Sequence, residues 1–221
     1  MQIAFLLYDG FTALDVVGPY DVLRNLPGCE PVFVAEQVGP VRNTSGSLAL
    51  IADKGVDEVD EADILVVPGG FGTRVVLDHQ PLLAWLRQVH EGTTWTTSVC
   101  TGALLLAAAG LLEGEPATTH WLARSTLGAL GARPVPERVV QSGKIITAAG
   151  VSAGIDMALR VVELTEGPQA AKAIQLGLEY DPQPPFDAGS PEKAPASLVE
   201  SVTAAFTKAE AEVKAAARIG T

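Results

Sequence analysis

Gln2–Tyr8 shows almost no alternation of apolar and polar positions and is rich in Ile, Phe and Leu, the pattern of a strand covered on both faces. Val16–Asn25 follows as a short helix stopped by Pro27-Gly28, and Pro31–Glu36 reads as the second strand. Val41–Ile51 carries Asn43, Thr44, Ser45 and Gly46 at its centre, which predicts a hairpin. Ile64–Val67 is a compact apolar run ended by Pro68-Gly69-Gly70, hence a buried strand. Leu82–His90 places Leu82, Trp85, Leu86 and Val89 on one side of a helix. Thr94–Val99 is a β-branched strand that runs straight into Cys100, and Thr101–Ala109 is the helix after it, closed by Gly110.

Downstream, Trp121–Leu130 reads as a helix, and Val139–Gln141 with Ile145–Ala148 flank Ser142-Gly143 as a second hairpin. Ser152–Glu166 and Pro168–Leu178 are helices separated by Gly167. Residues 180–195 contain five prolines and predict an extended surface loop. After them, Leu198, Val202, Phe206 and Val213 mark one face of a last helix over 196–217, free to dock on this subunit or on a partner. Strands alternating with helices imply an α/β fold, a mostly parallel sheet with helices on both faces. No internal repeat or composition shift marks a second domain, so residues 1–221 read as one.

Length and composition agree with that picture and narrow the partners. A chain of 221 residues, 48% hydrophobic and 19% charged, buries one core and is not disordered. The net charge of −11 repels phosphate backbones and argues against nucleic acid. The apolar N-terminus lacks a basic flank and is interrupted by Asp9-Gly10, so a first strand fits better than a signal peptide. The small-residue run Ala103–Leu112 is too short to span a bilayer, so no membrane partner is expected. Cys29 and Cys100 read as free thiols in a cytoplasmic protein. No Cys, His and Asp cluster has metal-ligand spacing, so no metal is expected.

The strongest chemical signal is Ser98-Val99-Cys100-Thr101-Gly102-Ala103. A strand delivers Cys100 to a sharp turn, a nucleophile elbow above the carboxyl edge of the sheet. The helix start after it is expected to favour a thiolate, with a thiol pKa of ~3.5–7.5 in place of ~8.5. The bland alternative is an inert core cysteine, the role assigned to Cys29 in its Pro27-Gly28 loop. Pro68-Gly69-Gly70-Phe71-Gly72 exposes amides at the same edge, and Gly70 N–H with Thr101 N–H would form an oxyanion pocket. Simple turn chemistry is its plainer reading, and it lacks the length and Lys of a phosphate loop. Asp15 follows the first strand, either as a helix N-cap or as a carboxylate beside the thiol. In the second case the two groups repel, share a proton and titrate together. His120 is a structural residue at a helix start or the base of a Cys/His pair. His79 and His90 read as surface residues.

Together these motifs resemble the ThiJ/PfpI superfamily, the class I glutamine-amidotransferase-like fold. The resemblance runs to about Ala188 and includes Val66-Val67-Pro68-Gly69-Gly70 and the segment Ala148–Asp156. It implies a flavodoxin-like three-layer sandwich, a homodimer, and a nucleophile at Cys100. Many members carry Glu where this chain has Asp15, so the chain departs from the deglycase-like and chaperone-like pattern. Asp15 with Cys100-Thr101-Gly102, and the tail Glu179–Phe186, are similar to isonitrile hydratases. That likeness implies an isonitrile substrate, no cofactor, and Asp15, Cys100 and Thr101 as the residues the reaction needs. It extends no role to His120.

The implied reaction adds water to R–N≡C and gives an N-substituted formamide through a thioimidate on Cys100. The amide of Thr101 would face the developing charge and its hydroxyl would face Asp15 or the water. Three rivals stand beside it: a glyoxalase- or deglycase-like reaction at the same thiol, a cysteine redox or ligand sensor, and an interaction protein that keeps only the fold. Similar Asp and Cys-Thr-Gly-Ala patterns also occur in the amidase-like domains of AraC-type regulators. Those append a DNA-binding helical domain, whereas the segment after Pro195 supplies one helix.

Overall fold

Four apolar runs too short to be helices fix the centre of the molecule. In the computed structural model, which describes residues 1–219, the chain begins β1 (Gln2–Leu6), α1 (Ala13–Leu23), β2 (Glu30–Ala35). A small antiparallel hairpin, β3 (Gly39–Arg42) and β4 (Ala49–Ala52), leads to the two-residue β5 (Lys54–Gly55). Then come β6 (Ile64–Val67), α2 (Thr73–Val76), α3 (Gln80–Gly92), β7 (Trp95–Val99) and α4 (Gly102–Ala108). Short β8 (Pro116–Ala117), α5 (Arg124–Ala129) and β9 (Arg133–Pro134) precede the hairpin β10 (Val139–Ser142) and β11 (Ile145–Ala148). Three helices finish the chain: α6 (Ala153–Glu166), α7 (Pro168–Gly177) and α8 (Ala196–Ile219).

Seven strands form one sheet in the order β10-β11-β7-β6-β1-β2-β5, parallel throughout except for β10 against β11. Every residue of β6 and β11 is buried, as is all of β1 and β7 beyond the first residue. Such strands must be covered on both faces. One layer holds α1 packed on α6 with α7 beside it; the other holds α3, α4 and α5. The result is a mostly parallel, flavodoxin-like α/β sandwich. Buried hydroxyls on β7 are largely satisfied within the core: Thr97 donates to Leu65 O at 2.9 Å, and Thr96 bonds Thr93 Oγ1 and His90 Nδ1 at 2.8 Å. His90, expected on the surface, is therefore tied into the sheet end.

Three local expectations are revised. Helix α1 starts at Ala13 rather than Val16, because Thr12 is extended (φ −88°, ψ 119°) and takes the N-cap position without a side-chain bond. Asp15 is thus not the cap; it is the third residue of the first turn. The segment after His120 is not one helix but a 3₁₀ turn, Trp121–Ala123, followed by α5. Cys29 donates to Arg24 O at 3.2 Å, and both cysteines are free.

Gly102 decides how closely α4 approaches the sheet. A Cβ there would lie 2.1 Å from Val67 O, a backbone atom that cannot swing away. Gly154, where α6 crosses β7 and α1, would meet only side-chain atoms of Val99 and Pro19, at 3.0–3.2 Å. Gly102→Ala is expected to cost about 1–3 kcal/mol in urea unfolding, the usual penalty of overpacking, and Gly154→Ala clearly less. Equal losses would contradict this ranking.

Candidate active site

The carboxyl ends of four adjacent strands converge at the edge where the chain order reverses around β1. Loops after β1, β6, β7 and β11 supply Tyr8 to Thr12, Pro68 to Gly72, Cys100-Thr101 and Ala149 to Ser152. Cys100 sits in the left-handed region at φ 56°, a conformation that costs a non-glycine residue roughly 1–3 kcal/mol. Its backbone is held on both sides. The Cys100 N–H donates to Ala148 O and Ala149 O at 3.1 and 2.8 Å, and Thr119 Oγ1 donates to Cys100 O at 2.8 Å. Val151 also has a positive φ, 28°, which is rare for a β-branched residue. The amides of Thr101 and Val151 both favour the charged form of the Cys100 sulfur.

Asp15 lies beneath that sulfur, fully buried. Its Oδ2 accepts from Gly69 N–H at 2.9 Å, while its Oδ1 has no partner in hydrogen-bond geometry. Burial pushes the Asp15 carboxyl up from 3.8 to about 7, against the opposing pull of Gly69 N–H and a weak donation from the Cys100 thiol. Burial and then the Asp15 charge push the Cys100 thiol up as well, and the amides of Thr101 and Val151 only partly offset them. The expectation of an early-ionising thiol is therefore wrong in direction. Helix α4 has only seven residues, and its end effect is outweighed by dehydration and a neighbouring carboxylate. The two groups form a coupled pair in which the carboxyl titrates near neutral pH and the thiol only on the alkaline side.

The Thr101 hydroxyl does not face Asp15. It donates to Gly70 O at 3.2 Å, accepts from Gly70 N–H at 2.9 Å, and meets Thr73 Oγ1 at 2.9 Å. Thr73 in turn meets Tyr8 Oη at 3.0 Å, and Tyr8 donates to Pro68 O at 2.7 Å. This buried chain locks the β6 turn against Cys100. Gly70 N–H is consequently taken by the Thr101 hydroxyl and is not free for the expected oxyanion pair with Thr101 N–H. Tyr8 and Thr73 carried no local motif; only their partners across the fold identify them.

Above Cys100 opens a pocket of about 100 Å³, bordered also by Thr101, Gly70 and His120. Phe71, Leu122, Val151 and Phe206 form its apolar wall, and Arg74 enters from α2. His120 accepts from Leu122 N–H at 3.4 Å through Nδ1 and stacks on Phe206 at 5.3 Å. Burial, then the charges of Arg74 and Arg124, hold its pKa below the usual value, so the ring is neutral near pH 7. Phe206 reaches the pocket from α8, so the apolar stripe of the last helix docks on its own subunit. Among the described residues no His, Cys, Asp and Glu cluster could hold a metal, and no helix is long and apolar enough to cross a membrane.

Residues 1–164 match the model of the DJ-1/PfpI family. The chain belongs to the DJ-1/PfpI family. An isonitrile hydratase of Pseudomonas putida is 42% identical over 200 residues, covering 90% of this chain and 87% of that protein. The transcriptional regulator CdhR of Pseudomonas aeruginosa is 30% identical over 77% of this chain, which spans only 52% of the regulator. A ThiJ/PfpI family protein of Pseudomonas syringae superimposes with a TM-score of 0.91 at 37% identity, covering 98% of this chain and 90% of that one. In this DJ-1/PfpI chain the family segment holds every loop of the Cys100 edge, whereas Phe206 and α8 lie beyond it.

The buried pair has a signature in stability. Asp15 has a folded pKa near 7 against 3.8 unfolded, so its contribution is full below about pH 4 and is lost as pH rises through 7. Cys100, also raised, loses its contribution only on the alkaline side. Between pH 4 and 7, stability of the wild type relative to Asp15→Asn is expected to fall steadily in denaturant unfolding. Parallel curves would show that Asp15 is not a buried acid.

Proposed function

We propose that this chain is an isonitrile hydratase, converting R–N≡C and water into R–NH–CHO. The observation that carries the reading is the buried Asp15–Cys100 pair set under a small apolar pocket. Likeness to the P. putida hydratase supports it along nearly the whole chain. An isonitrile presents one reactive carbon and little else that is polar, which suits such a pocket. The sulfur takes up the negative charge as Asp15 takes the proton, and the thiolate attacks the terminal carbon while the Thr101 and Val151 amides face the sulfur. Asp15 returns the proton to that carbon, giving the thioimidate R–N=CH–S–Cys100. Water then adds to the carbon, one of its protons passing by way of Asp15 to nitrogen; the C–S bond breaks as the remaining hydroxyl proton passes to the Asp15–Cys100 pair, releasing R–NH–CHO and restoring the pair.

Glyoxalase- or deglycase-type chemistry fits less well. A dicarbonyl substrate needs free donors for its oxygens, yet Gly70 N–H and the Thr101 hydroxyl are already bonded.

Formamide formation from a simple alkyl isonitrile tests the reading. Cys100→Ala is expected to abolish turnover and Cys100→Ser nearly so, since no alkoxide forms near neutral pH. Asp15→Asn is expected to fail because an amide cannot cycle a proton, and Asp15→Glu to lose ~10²-fold through misplacement by about 1 Å. Cys29→Ala is expected to be nearly silent. Turnover persisting in Cys100→Ala would exclude the covalent route.

A further inference from the structure

Helix α8 brings two side chains to the mouth of the pocket, and they do different work. Phe206 lies between Phe71, at 5.4 Å, and His120, against which it stacks with an interplanar angle of 14°. Glu210, one helical turn further on, forms an ion pair with Arg74. The Arg74 side chain is 12% exposed, donates to Gly70 O at 3.3 Å and lies over the Phe71 ring at 5.9 Å. Among the described residues no acidic side chain lines the pocket itself, and His120 is neutral. Glu210 thus offsets the charge of Arg74, a permanent cation lining the pocket with Cys100.

We infer that Phe206 and Glu210 are specificity-determining residues that restrict the Cys100 pocket to small, uncharged, apolar substrates. The substrate class rests on the hydratase reading, but the selection by charge and size does not. Without Glu210, a partly dehydrated guanidinium would face the pocket and draw in carboxylates, for which its fork is suited. Without Phe206, the aromatic wall would lose its outer member and the cavity would lengthen toward solvent. Both residues lie outside the family segment 1–164, so the fold delivers the reactive pair and the added helix chooses what reaches it.

Alkylation of Cys100 reads the charge selection without any turnover. Iodoacetamide and iodoacetate share size and mechanism and differ in charge, and Cys29→Ala supplies a background with one thiol. The iodoacetate-to-iodoacetamide rate ratio is expected to rise about tenfold in Glu210→Gln. It should return to the starting value in Glu210→Gln/Arg74→Gln, where the cation is also removed. Phe206→Ala is expected to raise kcat/KM for cyclohexyl isonitrile relative to methyl isonitrile by about tenfold. An unchanged alkylation ratio in Glu210→Gln overturns the charge selection, even if formamide forms normally. Absence of formamide from every isonitrile in the wild type sinks the hydratase reading instead, while the alkylation ratios still decide the role of Glu210.

Discussion

A carboxyl and a thiol placed together in a dry interior cannot both be charged. Two unit charges a few ångströms apart repel by on the order of 4 kcal/mol even at an effective dielectric constant of 20. Asp15 is wholly enclosed, and Cys100 touches solvent only through the small pocket above it. Near neutral pH the pair therefore cannot be fully ionised, and the surroundings decide which member gives up its proton first. Gly69 N–H favours charge on Asp15, whereas the Thr101 and Val151 amides favour it on sulfur. An addition needing both a nucleophile and an acid would draw on proton transfer between the two.

Much of the scaffold follows from holding that balance. Cys100 and Val151 both have positive φ in the loops beside the sulfur, and the amides of Thr101 and Val151 favour its charged form. Gly69 and Gly102 let the β6 turn, the Cys100 turn and α4 come closer than side chains would allow. The hydroxyl chain from Tyr8 through Thr73 to Thr101 ties these loops together without offering a donor to the pocket.

The sheet was legible in the sequence because β1, β6 and β11 are short, largely apolar runs, β6 ends at Pro68-Gly69-Gly70, and β7 is rich in β-branched residues. Cys100, Asp15 and Thr101 were legible as a constellation because strand ends in such a fold share one edge. The thiol's direction of shift was not. A strand–Cys–helix motif displays the favourable amides, while the buried carboxylate and the depth of the site belong to tertiary packing. The Asp15 cap reading failed for a similar reason: extended Thr12 begins the helix three residues before the apolar run suggests. The Thr101 hydroxyl and Gly70 N–H were individually visible as polar groups, but their mutual bond was not. Phe206 reads as part of an apolar stripe, and only the fold brings that stripe back to Phe71 and His120, far earlier in the chain.

Thiolate absorbance in the ultraviolet, followed against pH with Cys100→Ala as the blank, tests the coupling of the two groups most directly. In the wild type, full thiolate amplitude is expected only well above the ordinary thiol pKa of ~8.5, after any partial rise near pH 7. Asp15→Asn removes the opposing charge, so the full amplitude should appear in a single step at lower pH. A single full-amplitude step that Asp15→Asn leaves unmoved would mean the two groups titrate independently, and the account of the site would be wrong.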